Sequence, residues 1–257
     1  MSLELWLRVA LAPLAVGLAS LAARRWGHSV SGYLGGMPLI GGPITFFLAQ
    51  DYGPGFAAQA ATLTLAAVAA QGTYLLAFSW LSRYRKWALA LAGAWLAFAG
   101  ASAVIAWSAP PLGIAVALAI AGLAVAWIAL PRPRAPGGLP SVPRIELYLR
   151  LAAAFALALG IVTGAHALGP VWSGVLLSAP VTGSIIPPFT LALYGPDAVA
   201  RVTRGFVVGL TAFSSFFAVV AACAVALGTA GSFALAVLAA LAAVFVSSRL
   251  LKIRPGP

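Results

Sequence analysis

The chain has 257 residues, 63% of them hydrophobic and 7% charged, with mean hydropathy +1.05 and a formal net charge of +11. That is more apolar surface than a soluble domain of this length can hide, so the composition places the chain in a lipid bilayer. The lone Cys223 excludes an intramolecular disulfide and a cysteine metal cluster.

Apolar runs near 20 residues long predict about nine spans, at 3–23, 29–50, 55–81, 87–108, 112–130, 147–168, 171–193, 204–227 and 230–249. Each is long enough to cross a hydrocarbon core of ~30 Å at ~1.5 Å per residue. The alternation of membrane barrels is absent, so the expected fold class is an all-α polytopic membrane protein. In span one the basic pair Arg24-Arg25 follows the apolar run instead of preceding it, which favours a retained helix over a cleaved signal. Span two carries GYLGGMPLIGGPITFF, with Pro38 and Pro43 among its glycines. Pro131–Pro143 (PRPRAPGGLPSVP) follows span five and is too rich in Pro and Gly for a helix, so it reads as a linker. Span seven carries SGVLLSAPVTGSIIPPF, with Pro180, Pro187 and Pro188.

The chain repeats itself. Leu3–Ala10 (LELWLRVA) matches Ile145–Ala152 (IELYLRLA), pairing Glu4 with Glu146 and Arg8 with Arg150 at one constant, ungapped offset in the numbering. The same offset pairs Pro38 with Pro180, Gly41 with Gly183, Phe47 with Phe189, and Tyr52-Gly53-Pro54 with Tyr194-Gly195-Pro196. A matched Glu weighs more than a matched Ala, because the chain has only four acidic residues. An internal duplication in a membrane protein points toward transport. The expected organisation is a first half of four helices (1–108), an unpaired fifth helix with its linker (109–144), and a second half of four helices (145–257).

Loops after spans one, three, five, seven and nine are basic, and the intervening ones contain no Lys or Arg. The positive-inside rule then puts the N-terminus outside and the C-terminus in the cytoplasm. Span five reverses the second copy, so the repeat is expected to be inverted. Two Gly/Pro-interrupted helices at matching positions of inverted halves predict a substrate site where they cross. Its candidates are Pro38, Gly41, Gly42, Pro43, Thr45, Pro180, Thr182, Gly183 and Ser184. Thr73 and Ser215, equivalent at the offset, are added from spans three and eight, within a wider polar set of Ser31, Ser173, Ser178, Thr190, Gln59, Thr62, Thr64, Gln71, Thr211 and Ser214. Gly41 and Gly183 are singled out because glycine permits positive φ and close approach. Hydroxyls also bond neighbouring helices or their own preceding turn, so each competes with a packing role.

Glu4 with Arg8, and Glu146 with Arg150, are spaced to pair on one helix face, as interfacial anchors, ties between the halves or gates. No carboxylate falls mid-span, which argues against coupling through a buried acid. Broken-helix N-termini and the positive charge suit an anion or phosphate headgroup. An enzyme is not expected: His28 and His166 fall on opposite sides of the predicted membrane, and no HExxH, Gly-x-Ser-x-Gly or GxxxxGK is present. No cofactor, metal or nucleic-acid partner is expected.

Gly35-Gly36-Met37-Pro38-Leu39 with Pro43 downstream, and Gly174 with Pro180, give each half a segment that resembles the second helix of the GlpM family of small bacterial inner-membrane proteins. Leu39 becomes Val181 in the second copy, a departure from that pattern. The resemblance implies a bacterial inner membrane and a link to exopolysaccharide production. The expected function is a transporter of a small solute or lipid-linked anion, with the lipid bilayer as partner and a homo-oligomer allowed. The alternative is a non-transporting scaffold for envelope or polysaccharide assembly.

Overall fold

The computed structural model describes residues 3–134, 147–156 and 175–250. Among the described residues the regular structure is helical throughout. In chain order the helices are α1 (Leu3–Trp26), α2 (His28–Gly35), α3 (Gly41–Tyr52), α4 (Pro54–Ala66), α5 (Val68–Leu81), α6 (Trp87–Ser108), α7 (Leu112–Ala129), α8 (Leu147–Ala156) and α9 (Ile186–Leu250). The side chains of Glu4 and Arg8, and the whole of Glu146, lie outside the described residues, and with them both expected ion pairs.

Among the described residues, four stretches are long and apolar enough to cross a membrane: Pro54–Tyr84, Trp87–Ser108, Leu112–Ala129 and Ile186–Ser247. The last is too long for one crossing. It bends at Gly195 (φ 78°) and Gly228 (φ 66°), where the left-handed backbone suits glycine, so α9 consists of limbs 186–194, 196–227 and 229–250. Large apolar side chains such as Leu96, Trp107, Ile128 and Leu238 stand on the outer surface, Trp107 being 92% exposed. Water would penalise such a surface, whereas lipid would not, and with the apolar helices it marks an integral membrane protein.

The interior is built from small residues. Pro54–Tyr84 is the central stretch, 72% buried over its most apolar window against 17% for α7, which faces outward. Alanines at 57, 60, 61, 66, 67 and 70 are fully enclosed there. Between helices in lipid no hydrophobic force operates, so small side chains that admit close van der Waals contact decide which faces meet.

Both spans richest in Gly and Pro are interrupted. The first is α2, a non-helical stretch at 36–40, and α3. The second has helix at 175–177, an irregular stretch at 178–185, and then α9. The interruptions are shorter than the proline distribution suggests. Pro43, Pro187 and Pro188 fall in the first turn of the following helix, where an N–H has no intrahelical acceptor and proline costs little. The duplicated Tyr-Gly-Pro turns share one backbone shape: Gly53 has φ 86°, ψ 165° and Gly195 has φ 78°, ψ −175°.

Several basic segments gather at one end of the bundle. The Trp80 indole N–H donates to the Ala129 carbonyl at 3.0 Å, and Arg204 Nη1 donates to the Leu130 carbonyl at 3.0 Å. The Arg85 guanidinium lies beside Gly195. Arg83 and Arg204 lie over the rings of Trp80 and Trp127, at 4.1 and 4.2 Å, an arrangement suited to a membrane interface.

Candidate functional site

Two glycine pairs bring α2 and the middle limb of α9 into backbone contact. Gly32 on α2 and Gly36, which caps its end, face Gly205 and Gly209, each pair four residues apart. A Cβ at Gly36 would land on the Phe206 carbonyl oxygen and 3.0 Å from the Gly209 Cα, and one at Gly209 would meet the Tyr33 carbonyl. This is the small-xxx-small contact of membrane helices. It fixes the end of α2 and so the start of the first interruption.

The two interruptions use the same hydrogen bonds. In the first, Gly36 N–H donates to Tyr33 O (3.2 Å), Met37 to Leu34 O (3.2 Å), Leu39 to Met37 O (2.8 Å) and Gly42 to Pro38 O (3.0 Å). In the second, Ser178 donates to Val175 O (3.1 Å), Ala179 to Leu176 O (3.0 Å), Val181 to Ala179 O (2.8 Å) and Ser184 to Pro180 O (2.7 Å). Each bond of the first set maps onto one of the second at the offset of the sequence repeat. Each interruption is thus a tight turn centred on its proline, followed by a new helix start.

The two turns face one another across a cavity of about 180 Å³, lined by Gly35–Gly36, Leu39–Gly41, Ala179–Gly183, Gln71, Tyr74, Phe206, Leu210 and Phe213, among others. One side chain ties the turns to each other, and two from span three hold the second turn in place. Gln71 Nε2 donates to the Ser178 carbonyl (2.5 Å), the Tyr74 hydroxyl to the Gly183 carbonyl (3.0 Å), and the Thr182 hydroxyl to the Gly35 carbonyl (2.6 Å). In lipid, carbonyls freed by a broken helix need such partners, and here spans three and seven provide them across the crossing.

Of the residues proposed from sequence, Gly41, Pro180, Thr182 and Gly183 line this cavity. Pro38, Gly42 and Pro43 line a separate groove on the other side of the first turn. Thr45 is buried and donates to the Gly41 carbonyl of its own helix (2.7 Å). Ser184 accepts the Trp95 indole N–H (3.0 Å) and itself donates to the Pro180 carbonyl (2.8 Å). Thr73 donates to the carbonyls of Ala70 (2.8 Å) and Ala97 (3.3 Å), and Ser215 to that of Thr211 (2.9 Å); neither lines the cavity. Gly41 and Gly183 do not have positive φ, contrary to one reason for selecting them. What they supply is room: a Cβ at Gly41 would sit 3.2 Å from the Phe217 ring, and one at Gly183 would sit 3.2 Å from the Tyr74 ring.

Tyr74 and Trp95 were not singled out from sequence. Tyr74 lies three residues after Gln71, hence on the same helix face, which was the available signal. Trp95 is invisible to that test because it reaches the site from α6, stacking edge-on against Tyr74 (6.2 Å) and Phe98 (5.6 Å).

Among the described residues the cavity wall carries no Asp, Glu, Lys, Arg or His. The start of α9 beside it also has little to offer an anion. At the start of α9, Ile186 donates to Thr182 O, Phe189 to Ile185 O, and Pro187 and Pro188 have no N–H. Such a wall suits an uncharged solute better than the anion suggested by net charge. Arg150 is held elsewhere. It is 2% exposed on α8, donates to the Ser20 hydroxyl of α1 (3.2 Å) and lies 5.4 Å from the Phe189 ring centre. It therefore ties the beginning of the second half to α1 and α9, a structural bridge between the halves.

No known protein family, curated protein or solved structure matches the chain.

Proposed function

We propose that this protein is a nine-span transporter of bacterial inner-membrane type, N-terminus outside and C-terminus cytoplasmic, whose inverted halves each contribute one broken helix to a central site. The observation that carries this reading is the cavity between two turns that share one hydrogen-bond pattern at equivalent positions of the repeat. Matching interruptions in the two halves of a duplicated membrane protein are where substrate sites form. Among the described residues the polar groups at the wall are those of Tyr52, Gln71, Tyr74, Thr182 and the turn backbones, so the substrate is a small uncharged solute that exchanges hydrogen bonds with them. Release of the Thr182–Gly35 tie, together with the Gln71 and Tyr74 bonds to the second turn, would open the crossing. The GlpM-like segment fits this architecture as half of an ancestral pair.

The test uses Val181→Cys in a Cys223→Ser background, because Val181 lines the cavity. A transporter that alternates its openings exposes this thiol to a small membrane-impermeant reagent applied from either side of oriented vesicles. Labelling from neither side, with the protein folded, would favour the scaffold. Once a substrate is in hand, Gly183→Ala should reduce its flux, since the new methyl presses on the Tyr74 ring.

A further inference from the structure

Behind the first turn lies an open groove of about 620 Å³. Its wall is apolar throughout, with Pro38, Phe46, Phe216, Phe233, Val237 and Leu241 prominent. Met37 and Leu39 line both this groove and the central cavity, so one short segment of chain separates the two spaces. The mouth lies on the last limb of α9, whose outward strip of Val237, Leu238, Leu241 and Phe245 is about half exposed or more. That strip is continuous with the surface already assigned to lipid.

The repeat shows what such a groove holds when it is full. The offset that pairs Pro38 with Pro180 also pairs Trp95 with Val237 and Tyr74 with Phe216. Trp95 packs on Tyr74 and bonds Ser184 beside the second turn, filling the space behind it with the protein's own indole. Behind the first turn the aromatic equivalent to Tyr74, Phe216, meets Phe233 at 5.8 Å, and Val237 leaves the place of the indole open. Water gains no hydrogen bond from an apolar wall, and a void loses the dispersion contacts of its lining. The material at hand is hydrocarbon.

The geometry points to a lateral portal: an acyl chain of a membrane lipid occupies the groove, and residues 37–39 are the partition through which a lipophilic substrate passes from the bilayer to the central cavity. The second step rests on the transport reading; occupancy of the groove does not. In this account the site is loaded from the membrane, and the missing aromatic at Val237 makes only one half open to lipid.

To test it, the protein is placed in phosphatidylcholine vesicles doped with phosphatidylcholine bearing a diazirine on its acyl chain, irradiated, digested and mapped. Adducts should concentrate on segments 37–47 and 233–241, severalfold above those on outward-facing Ile120 and Ile128 of α7. Val237→Trp should reduce groove adducts severalfold and leave α7 labelling unchanged. Val237→Phe provides the same comparison should the larger ring impair folding. Equal labelling of groove and α7, or undiminished groove labelling in a folded variant, would overturn the portal. A labelled groove with Val181→Cys closed from both sides leaves acyl-chain occupancy standing and overturns both transport and the passage through residues 37–39. An unlabelled groove with an open cavity removes the portal and keeps transport.

Discussion

Gly36→Val is expected to be among the most damaging single substitutions in this protein. Its side chain would enter the contact between α2 and α9 where a Cβ already meets the Phe206 carbonyl and the Gly209 Cα. Neither obstacle is a flexible side chain, so the helices must separate. Overpacking costs typically ~1–3 kcal/mol, and a backbone obstacle puts this site at or beyond the upper end. Separation would also withdraw Gly35, whose carbonyl accepts the Thr182 hydroxyl. Unfolding in detergent should show a large loss of stability. Gly100→Val is the control, because a Cβ there meets nothing within 4 Å. Equal stability of the two variants would mean that the glycine contact does not hold the crossing together.

The second large effect is expected at Trp95. Its indole fills the space behind the second turn, and Trp→Ala substitutions in packed interiors cost ~3–5 kcal/mol; partial exposure of this ring favours the lower figure. Trp95→Phe retains most of the contact with Tyr74 and Phe98 and loses mainly the bond to Ser184. That bond is worth about 1 kcal/mol, and the Ser184 hydroxyl keeps its own acceptor at Pro180. Thermal unfolding of both variants beside wild type checks the order: Ala far below Phe, Phe slightly below wild type. A small effect of Ala would show that lipid fills the vacated place as well as the indole does.

The features legible in the sequence are those set by local backbone chemistry. Pro38 and Pro180 fall mid-span among glycines and small residues, where proline disrupts a helix interior, so the interruptions could be placed before any packing was known. Pro43, Pro187 and Pro188 add no break of their own, because each fits a helix start. The small-residue contact was readable too, since Gly32 and Gly36, and Gly205 and Gly209, are each four apart. What was not legible depends on which helix faces which. Hydropathy cannot separate a lipid-facing Val237 from a buried Phe213, because lipid and interior are equally apolar. The hydroxyls of Thr45, Thr73 and Ser215 looked like lining but bond carbonyls of their own helices and, for Thr73, of α6. Tyr74 and Trp95 become site residues only once spans three, four and seven have met.

The proposed site depends on the halves being inverted, and the duplicated turns allow that to be measured at equivalent points. Gly55 and Asp197 are equivalent positions of the repeat and directly follow the two Tyr-Gly-Pro turns. Single cysteines, Gly55→Cys and Asp197→Cys, are introduced separately in the Cys223→Ser background and treated with an impermeant maleimide on intact and then permeabilised cells. Inversion predicts that the thiol at position 55 reacts in intact cells and that the one at 197 reacts only after permeabilisation. Reaction of both from the same side would contradict the inverted repeat and the site built on it.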